Sequence, residues 1–403
     1  MDNTILVVNC GSSTLKLALF EENSLKCTAT GLAERLNHDD AVARIGEIKG
    51  DIPLPAGAPH RQALETMTKA LADSGLLAGT PAAIGHRVVH GGENFREAVL
   101  IDDKVRQAIK KCASLAPLHN PVNLSGIDST LRLYPNTPNV AVFDTAYHQT
   151  LPPKAYLYAV PYSYYRDWGV RRYGFHGISH SFMLTEAARR LGKTPATTSI
   201  ISAHLGNGCS IAAIRDGLSA DTSMGLTPLE GLVMGSRSGD IDPGLFDYLK
   251  SKGVAQDQLH HVLNHESGLL GLSGQTNDMR TLCDLAEHHH EPSLIAIEVF
   301  CFRLARYIGA MMASLRHLDA LVFTGGIGEN SARVREQTLG NLQLLGFDID
   351  DQFNRYSGKY SDGHIESAES RFPVLVIPTN EELVIAREAA RLAIASNEPG
   401  TPG

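Results

Sequence analysis

The chain has 403 residues, of which 43% are apolar and 20% charged, and its formal net charge is −8. This composition is typical of a globular protein, and the length predicts two domains. The negative charge argues against non-specific binding to nucleic acid, which requires a basic surface. No apolar run reaches the roughly 18 residues of a membrane span, so we expect neither nucleic acid nor membrane as a partner.

Six cysteines are spread along the chain without a CxxC pair or a metal-like spacing. We interpret them as reduced thiols of a cytosolic protein. The first ten residues, MDNTILVVNC, lack the positively charged region of a signal peptide. The sequence therefore predicts a cytoplasmic location.

Two segments of the same plan lie about half the sequence apart. Ile5–Phe20 (ILVVNCGSSTLKLALF) and Ser199–Ile214 (SIISAHLGNGCSIAAI) each contain two apolar runs joined by Gly, Ser or Asn. The pattern predicts a β-hairpin, and small residues at its tip let backbone N–H groups approach a phosphate. One such hairpin is common in antiparallel sheets. Two, each opening one half of the chain, predict a duplicated domain that holds a polyphosphate from both sides of a cleft.

The rest of the chain alternates between predicted strands and helices. Strands are predicted within Ala82–Gly92, Asn139–His148, Ala320–Glu336 and Pro373–Leu383, and helices at Arg61–Ala72, at Pro292–Leu315 and at the end of the chain. Each strand is followed by polar residues, at the side where open α/β sheets bind ligands. The segment at Asp221–Gly244, rich in Gly, Ser and Thr, is predicted to line a site.

The segment FTGGIGENS, Phe323–Ser331, follows a predicted strand and precedes a predicted helix. Helix N-termini bind anions through free N–H groups and the helix dipole. A plain strand–helix connection is the alternative interpretation. With two further glycine hairpins in the chain, we favour a nucleotide site.

Two arginines, Arg87 and Arg237, lie in glycine-flanked polar segments, GHRVVHGG and MGSRSGD. Arginine binds carboxylates and phosphates through paired hydrogen bonds, although a surface position or an ion pair is the commoner role. No acidic residue stands near Arg87 in the sequence, which favours the ligand-binding interpretation.

Histidines and carboxylates complete the set of candidates. His176 lies in a glycine-flanked turn, RRYGFHGISH, from which its ring could enter a cleft, and His180 follows at a spacing that suits a metal pair. Without a third ligand we do not expect metal there. The tract His288–His290 could bind metal, but an exposed helix end explains it more simply.

Asp144 and Glu381 follow buried strands, where a carboxylate either orients an arginine or holds Mg²⁺.

Taken together, these segments resemble the acetokinase family from the first hairpin to the final helix. The matching strings are NCGSSTLKL, GHRVVHGG, APLHNPVNLSGI, FDTAYHQTLP, RRYGFHGISH, HLGNGCSI, DTSMGLTPLEGLVMGSRSGD, NDMR, FTGGIGEN and PTNEE. The resemblance implies an α/β fold of the two-domain sugar-kinase/actin-like ATPase type, with duplicated βββαβαβα domains around a cleft. It also implies a homodimer formed mainly through the second domain.

The domain boundaries follow from the same resemblance. Residues 1–150 are expected to form the N-terminal actin-like domain, completed by the last helix at residues 384–396. Residues 151–383 are expected to form the C-terminal domain, with the nucleotide site and the dimer interface. Residues 397–403 are predicted to be a disordered tail.

The resemblance further implies reversible, Mg²⁺-dependent and direct in-line transfer of a phosphoryl group from ATP to acetate, giving acetyl phosphate and ADP. Mn²⁺ is the expected substitute cation. The family's catalytic roles fall on Asp144, His176 and Arg237, and its metal ligands on Asn9 and Glu381. Its acetate-binding positions are Arg87, Val89, Leu118, Phe175 and Pro228. Its ATP-binding positions are Ser12, Lys16, His204, Leu205, Gly206, Asn207, Gly208, Asp278, Met279, Arg280, Gly326, Ile327, Gly328, Glu329 and Asn330.

Acetate is ionised at pH 7, so its attack needs no general base, and we expect Asp144 mainly to orient Arg237 and the metal ligands. Two alternative functions remain. One is a propionate kinase or another short-chain fatty-acid kinase, against which Val89 argues because it is bulkier than the alanine associated with propionate-preferring relatives. The other is a non-catalytic nucleotide-binding module of actin or chaperone type. Such modules usually carry Asp where this hairpin has Asn9.

Overall fold

The computed structural model describes residues 3–397. It divides into two compact units, one made of the residues up to Tyr147 and those from Asn380 onward, the other of His148–Thr379. The sequence placed these boundaries at residues 150/151 and 383/384. The predicted tail begins at Asn397, which is the last residue of a helix, and its other residues lie outside the described part of the chain.

The first unit begins with a sheet and the helices that cover it. In chain order these elements are β1 (Thr4–Cys10), β2 (Leu15–Glu21), β3 (Cys27–Glu34), β4 (Val42–Ile45), β5 (Ile52–Pro53), α1 (His60–Asp73), β6 (Ala83–Val88), β7 (Val99–Leu100), α2 (Asp103–Lys111), α3 (Asn120–Leu133) and β8 (Asn139–Phe143).

The second unit follows with its own sheet and helices. They are α4 (Pro153–Tyr156), α5 (Tyr162–Trp168), α6 (Gly177–Arg190), β9 (Ile200–Leu205), β10 (Cys209–Arg215), β11 (Leu218–Thr222), α7 (Leu245–Ser251), α8 (Gln256–His265), α9 (Gly268–Ser273), α10 (Met279–Glu287), α11 (Glu291–Met312), β12 (Ala320–Thr324), α12 (Gly325–Asn330), α13 (Ala332–Gly340), α14 (Asp351–Arg355) and β13 (Val374–Val376). The last helix, α15 (Glu381–Asn397), belongs to the first unit. Short 3₁₀ turns lie at Cys112–Ser114, Ala146–Thr150, Pro195–Thr197 and Gln343–Leu345.

The two sheets share a five-stranded order, to which the first sheet adds β4, β5 and β7. Their strand orders are β5-β4-β3-β2-β1-β6-β8-β7 and β11-β10-β9-β12-β13. In both, a hairpin strand pairs antiparallel with its partner and parallel with a later strand, as β1 does with β2 and β6, and β9 with β10 and β12. The repeated pattern confirms the predicted mixed α/β fold with a duplicated strand and helix order.

Alternation along β1 assigns its side chains to the two faces of the first sheet. Leu6 and Val8 join the core cluster under α1, whose apolar residues recur at helical spacing. Val7 is paired with Gly85 of β6. A Cβ at Gly85 would lie 2.6 Å from Ile385 of α15, so this glycine lets α15 pack closely on the opposite face.

Within residues 3–397, no helix combines the length and the apolar character that crossing a bilayer requires.

Candidate active site

Three polar residues of the first unit share the face of the sheet that α15 covers. Asn9 lies two residues beyond Val7 on β1, and Arg87 two residues beyond Gly85 on β6. Arg87 is paired with Val142 of β8, and Asp144 follows two residues later. Because β1, β6 and β8 are parallel, these side chains gather where the strands end, near the first residue of α15, Glu381.

Arg87 and Asp144 form a bidentate ion pair. Nε of Arg87 donates to Oδ1 at 3.0 Å and Nη2 donates to Oδ2 at 2.6 Å. The Asp144 side chain is only 2% exposed, whereas that of Arg87 is 21% exposed. Burial opposes the charge of Arg87, but the carboxylates of Asp144 and Glu381 outweigh it and raise its pKa above the usual range. The Arg87 guanidinium is therefore a cation that Asp144 holds in place and that keeps one open side.

This pairing corrects one expectation from the sequence and bears on another. Arg87 does have an acidic partner, which lies 57 residues further along the chain and reaches it through the strand register. Both oxygens of Asp144 accept hydrogen bonds from Arg87, and the expected role of Asp144 in orienting Arg237 and the metal ligands stays a prediction.

Glu381 lies beside this pair, with its Oε2 4.0 Å from Nε of Arg87. Burial, with the charges of Asp144 and Glu382 added, raises the pKa of Glu381 to about 7 despite the opposing effect of Arg87 and Lys16. Asn380 caps the helix by accepting from the Leu383 N–H at 3.0 Å. A bound cation would therefore stabilise the charged form of Glu381.

The remaining predicted residues of the first unit surround the hairpin. Asn9 is 8% exposed and paired with Lys16 across β1 and β2. Ser12 is exposed in the connecting turn. Lys16 lines a cavity of about 480 Å³ that also includes Asn380 and Glu382.

The four residues predicted to form an apolar acyl pocket besides Arg87 are divided between the two units. In the first, Val89 is 6% exposed and its N–H donates to Oδ1 of Asn123 at 3.0 Å, whereas Leu118 is 51% exposed. In the second, Phe175 is 1% exposed and Pro228 is half-buried. Their common role in an acyl pocket stays a prediction.

In the second unit, His176 and Arg237 meet at the turn between β9 and β10. A Cβ at Gly208 would lie 3.6 Å from Nη1 of Arg237 and 3.7 Å from Nε2 of His176. The glycine therefore leaves open the space that both side chains border. An anion bound at this turn would meet a guanidinium and an imidazole nitrogen together.

Arg237 is a half-buried cation with an incomplete set of partners. Its Nη1 donates to the Pro228 carbonyl at 3.0 Å. Among the described residues, no carboxylate oxygen lies within 4.0 Å of it, and burial lowers its pKa. A desolvated guanidinium without a counter-ion is suited to binding an anionic ligand.

His176 precedes α6 with a left-handed backbone, φ 57°. Its ring lies 4.5 Å from that of His204, centroid to centroid, and its Nδ1 is 2.9 Å from Oγ of Ser210. His180 does not pair with it around a metal, because both ring nitrogens of His180 are hydrogen-bonded to serines.

A cavity of about 570 Å³ adjoins this turn and is large enough for a nucleotide. Eight of the predicted ATP-binding residues line it: Gly206, Asn207, Asp278, Met279, Arg280, Gly326, Ile327 and Asn330. Five others do not: His204, Leu205, Gly208, Gly328 and Glu329. Glu329 is turned inward, where its carboxylate accepts from the Gly325 and Thr379 N–H groups at 2.9 and 3.0 Å.

A family model described as the acetokinase family matches residues 4–387 of this chain. The chain belongs to the acetokinase family. The match includes both hairpins, the arginines and the glycine-rich segments whose geometry is described above.

Relatives of full length support the same assignment. Acetate kinase from Chromobacterium violaceum is 49% identical over 400 residues, covering 98% of this chain and 100% of its own. A crystal structure of a propionate kinase from Francisella tularensis subsp. tularensis SCHU S4 superposes with a TM-score of 0.91 at 43% identity, covering 96% and 99% of the two chains. The crystal structure of Porphyromonas gingivalis acetate kinase gives 0.89 at 38% identity, covering 97% and 99%. The similar proteins thus include some named acetate kinase and one named propionate kinase.

The structure adds cavity residues that the motifs did not single out, notably Cys283, Asp284, Glu287 and Arg333. The first three lie on α10 three, four and seven residues after Arg280. Residues at this spacing share one face of a helix, so the helical periodicity after Arg280 could have identified them from the sequence.

Arg335 was also missed, because its role depends on a fully buried position. Its Nη1 donates to the carbonyls of Gly328 and Glu329 at 2.7 and 3.1 Å, and its Nη2 to that of Asn354 at 2.7 Å. Burial lowers its pKa to about 10. Arg335 thus supports the glycine-rich turn from beneath.

The tract His288–His290 connects α10 to α11. His288 Nδ1 lies 2.8 Å from the Asp284 carbonyl, and His290 Nδ1 lies 2.8 Å from Oγ of Ser293. The described residues contain no group of three or more His, Cys, Asp or Glu that could hold a metal ion. The tract thus lies between the end of α10 and the start of α11.

Proposed function

We propose that this chain is an acetate kinase, which transfers the terminal phosphoryl group of ATP to acetate and yields acetyl phosphate and ADP reversibly. The observation that carries the proposal is Arg237, a half-buried guanidinium that pairs with no carboxylate of the described residues, beside His176 at the glycine turn of a nucleotide-sized cavity. Phosphoryl transfer depends on positioning and on neutralising the charge of the transferred group, and this arrangement supplies both.

The first unit would bind the acceptor. Asp144 engages Nε and Nη2 of Arg87 and leaves Nη1 for the carboxylate of acetate. Because the Asp144 side chain is buried and holds two contacts, the guanidinium plane is fixed before the substrate arrives. The acetate is ionised at neutral pH, so its oxygen attacks the phosphorus without a general base.

The second unit would bind the nucleotide and stabilise the transition state. Glycines 206, 208 and 326 let backbone N–H groups approach the phosphates. Arg237 and His176 would donate hydrogen bonds to the equatorial oxygens of the phosphoryl group in flight.

Asn9 and Glu381 are the proposed ligands of Mg²⁺. Both supply oxygen, which Mg²⁺ prefers, and it commonly binds one or two protein ligands together with waters and substrate phosphates. The fit is supported by the raised pKa of Glu381, since a cation would offset its buried charge beside Asp144 and Glu382. When bound, Mg²⁺ would neutralise charge on the phosphates, and Mn²⁺ is the expected substitute.

The direct test is a hydroxamate assay, which traps acetyl phosphate formed from ATP, Mg²⁺ and acetate. We expect product to accumulate with acetate and to require both ATP and Mg²⁺. Absence of any acyl phosphate from a series of short carboxylic acids would contradict the proposal. It would then favour a non-catalytic nucleotide-binding module.

Asn9→Ala should raise the Mg²⁺ concentration needed for half-maximal rate, because the variant removes an oxygen ligand at the hairpin. A Mg²⁺ titration of the hydroxamate assay measures the shift, with Asn23→Ala, an exposed asparagine beyond β2, as the control. A titration identical to that of the parent would assign Asn9 to the turn alone.

A propionate kinase is the second candidate, supported by the propionate kinase structure at 43% identity. Val89→Ala distinguishes the two acyl groups, because removing two methyls from a residue that is 6% exposed enlarges an apolar pocket. We expect the kcat/KM of propionate relative to acetate to rise roughly tenfold, a typical effect of one methylene. Val99→Ala, on the edge strand β7, should leave the ratio unchanged. A flat ratio in Val89→Ala would remove Val89 from the acyl pocket.

We also propose a homodimer formed through the second unit and a cytoplasmic location. Supporting the dimer, Trp168, Tyr162 and Phe302 of this unit are 69%, 62% and 51% exposed, which is unusual for large apolar side chains. Supporting the location, all six cysteines are free thiols. Light scattering after gel filtration tests the dimer.

A further inference from the structure

A buried line of hydrogen bonds leads from the core of the second unit to His176. Oγ of Ser202 on β9 lies 2.9 Å from Nδ1 of His180, and Nε2 of His180 lies 2.8 Å from Oγ of Ser210 on β10. The same Ser210 oxygen lies 2.9 Å from Nδ1 of His176. Ser202, His180 and Ser210 are each 0% exposed.

The direction of these hydrogen bonds follows from counting protons. Each serine hydroxyl has one proton to donate, and a neutral imidazole has one N–H and one acceptor nitrogen. His180 is neutral, because burial, together with the nearby His148 and His204, holds its pKa well below the usual value.

Ser202 decides between the two possible directions. Among the described residues, its hydroxyl has no acceptor other than Nδ1 of His180. If Nδ1 carried the proton, the Ser202 hydroxyl would be buried without an acceptor, which is unfavourable. The Ser202 hydroxyl therefore donates to Nδ1, and Nε2–H of His180 donates to Ser210. The Ser210 hydroxyl is then left to donate to Nδ1 of His176.

We infer that Ser202, His180 and Ser210 form a relay that keeps Nδ1 of His176 as an acceptor and the proton of its ring on Nε2. Nε2 is the ring nitrogen that borders Gly208, opposite Arg237. The relay makes His176 a hydrogen-bond donor toward the space in which an anion would bind. The three residues position His176 and do not themselves contact the reacting atoms, and this catalytic consequence rests on the proposed function.

Other titratable groups border the relay and are part of its setting. The His204 ring lies 4.5 Å from that of His176 and 6.4 Å from that of His180, and the His148 ring lies 5.6 Å from that of His180. Burial lowers the pKa of His148 to about 4. Arg237 borders the turn on the other side.

Long-range ¹H–¹⁵N correlation spectra of the ¹⁵N-histidine-labelled protein test the inference, with His176→Gln used to assign the His176 signals. In the parent at pH 7.5 we expect the His176 pattern of a ring protonated on Nε2 alone. In Ser210→Ala the proton should distribute between the two nitrogens. Ser202→Ala should shift the pattern in the same direction, although Ser202 does not touch His176.

Kinetics supply the second readout. Ser210→Ala should lower kcat about 10-fold to 100-fold, at or below the loss seen when a transition-state hydrogen-bond donor is deleted, with KM for ATP within about threefold. Ser202→Ala should give a smaller loss of the same kind. Ser199→Ala is the matched control, because this buried serine bonds the Asp216 N–H at 3.1 Å and lies outside the relay. It should leave both the His176 spectrum and kcat unchanged.

Protonation of His176 on Nδ1 in the parent would overturn the inference, and so would an unchanged His176 spectrum in folded Ser210→Ala and Ser202→Ala. The parent measurement stands even where a variant fails to fold. Failure of the proposed function has a different signature, because the parent would then form no acyl phosphate while its His176 spectrum remained as expected.

Discussion

Arg237→Ala is expected to lower kcat by about 10³-fold or more, since an arginine that neutralises a transferring phosphoryl group contributes about 10³ to 10⁵ in rate. The structure sharpens this expectation through the stability of the variant. Arg237 donates to the Pro228 carbonyl but has no carboxylate partner among the residues described, and burial lowers its pKa. Its charge is therefore a cost to the folded protein in the absence of ligand. We expect the melting temperature of Arg237→Ala to equal or exceed that of the parent.

Three measurements test this combination of lost activity and retained stability. The hydroxamate assay gives kcat, thermal unfolding gives stability, and calorimetric titration with ADP shows whether nucleotide binding survives. ADP lacks the transferred group, so its affinity should change little. Arg189→Ala is the control, because this arginine is 59% exposed and paired with Glu186 on α6. A kcat within threefold of the parent would exclude Arg237 from the transition state, and a large fall in stability would make its role structural.

The duplicated sheet could be predicted because its signals are local. Apolar runs of strand length, small residues at the tips and a second copy half a chain later determine two hairpins, and the hairpins are β1–β2 and β9–β10. The glycine-rich segments indicated the cavity for the same reason, since Gly206 directly follows β9 and Gly326 lies at the start of α12, two residues after the end of β12.

Contacts between distant segments could not be predicted in the same way. The partner of Arg87 depends on the register between β6 and β8, because a shift of one residue would turn Asp144 to the other face of the sheet. Sequence neighbours of Arg87 carry no such information. The link from His180 through Ser210 to His176 likewise depends on which face of β10 meets α6. Ser210 therefore looked like an ordinary strand residue in the sequence.

Arg87→Ala is expected to lower both stability and acetate use. The Asp144 side chain is 2% exposed and would lose a cation that contacts both of its oxygens. Breaking a buried ion pair from one side costs about 3–5 kcal/mol, because the remaining charge stays buried. Acetate would lose the guanidinium proposed to bind its carboxylate, so kcat/KM for acetate should fall more than that for ATP. Urea unfolding and the hydroxamate assay give the two quantities.

The pH dependence of the stability loss separates this ion pair from a simple packing defect. The pKa of Glu381 is about 7 in the folded protein, which is above its value in the unfolded chain. The positive charge of Arg87 lowers this pKa, so removing Arg87 should raise the pKa further. A raised folded pKa means stability that is present at low pH and lost as the pH rises through that pKa. Without added metal, the loss in free energy of unfolding caused by Arg87→Ala should therefore be larger at pH 8.5 than at pH 6.

Arg106→Ala is the control, because its pair with Asp128 is 38% exposed on both sides. This variant should lower the free energy of unfolding by at most about 1 kcal/mol and show no such trend. Equal losses in the two variants, or a deficit that shrinks at high pH, would show that the Arg87–Asp144–Glu381 cluster is not the buried charge assembly described here.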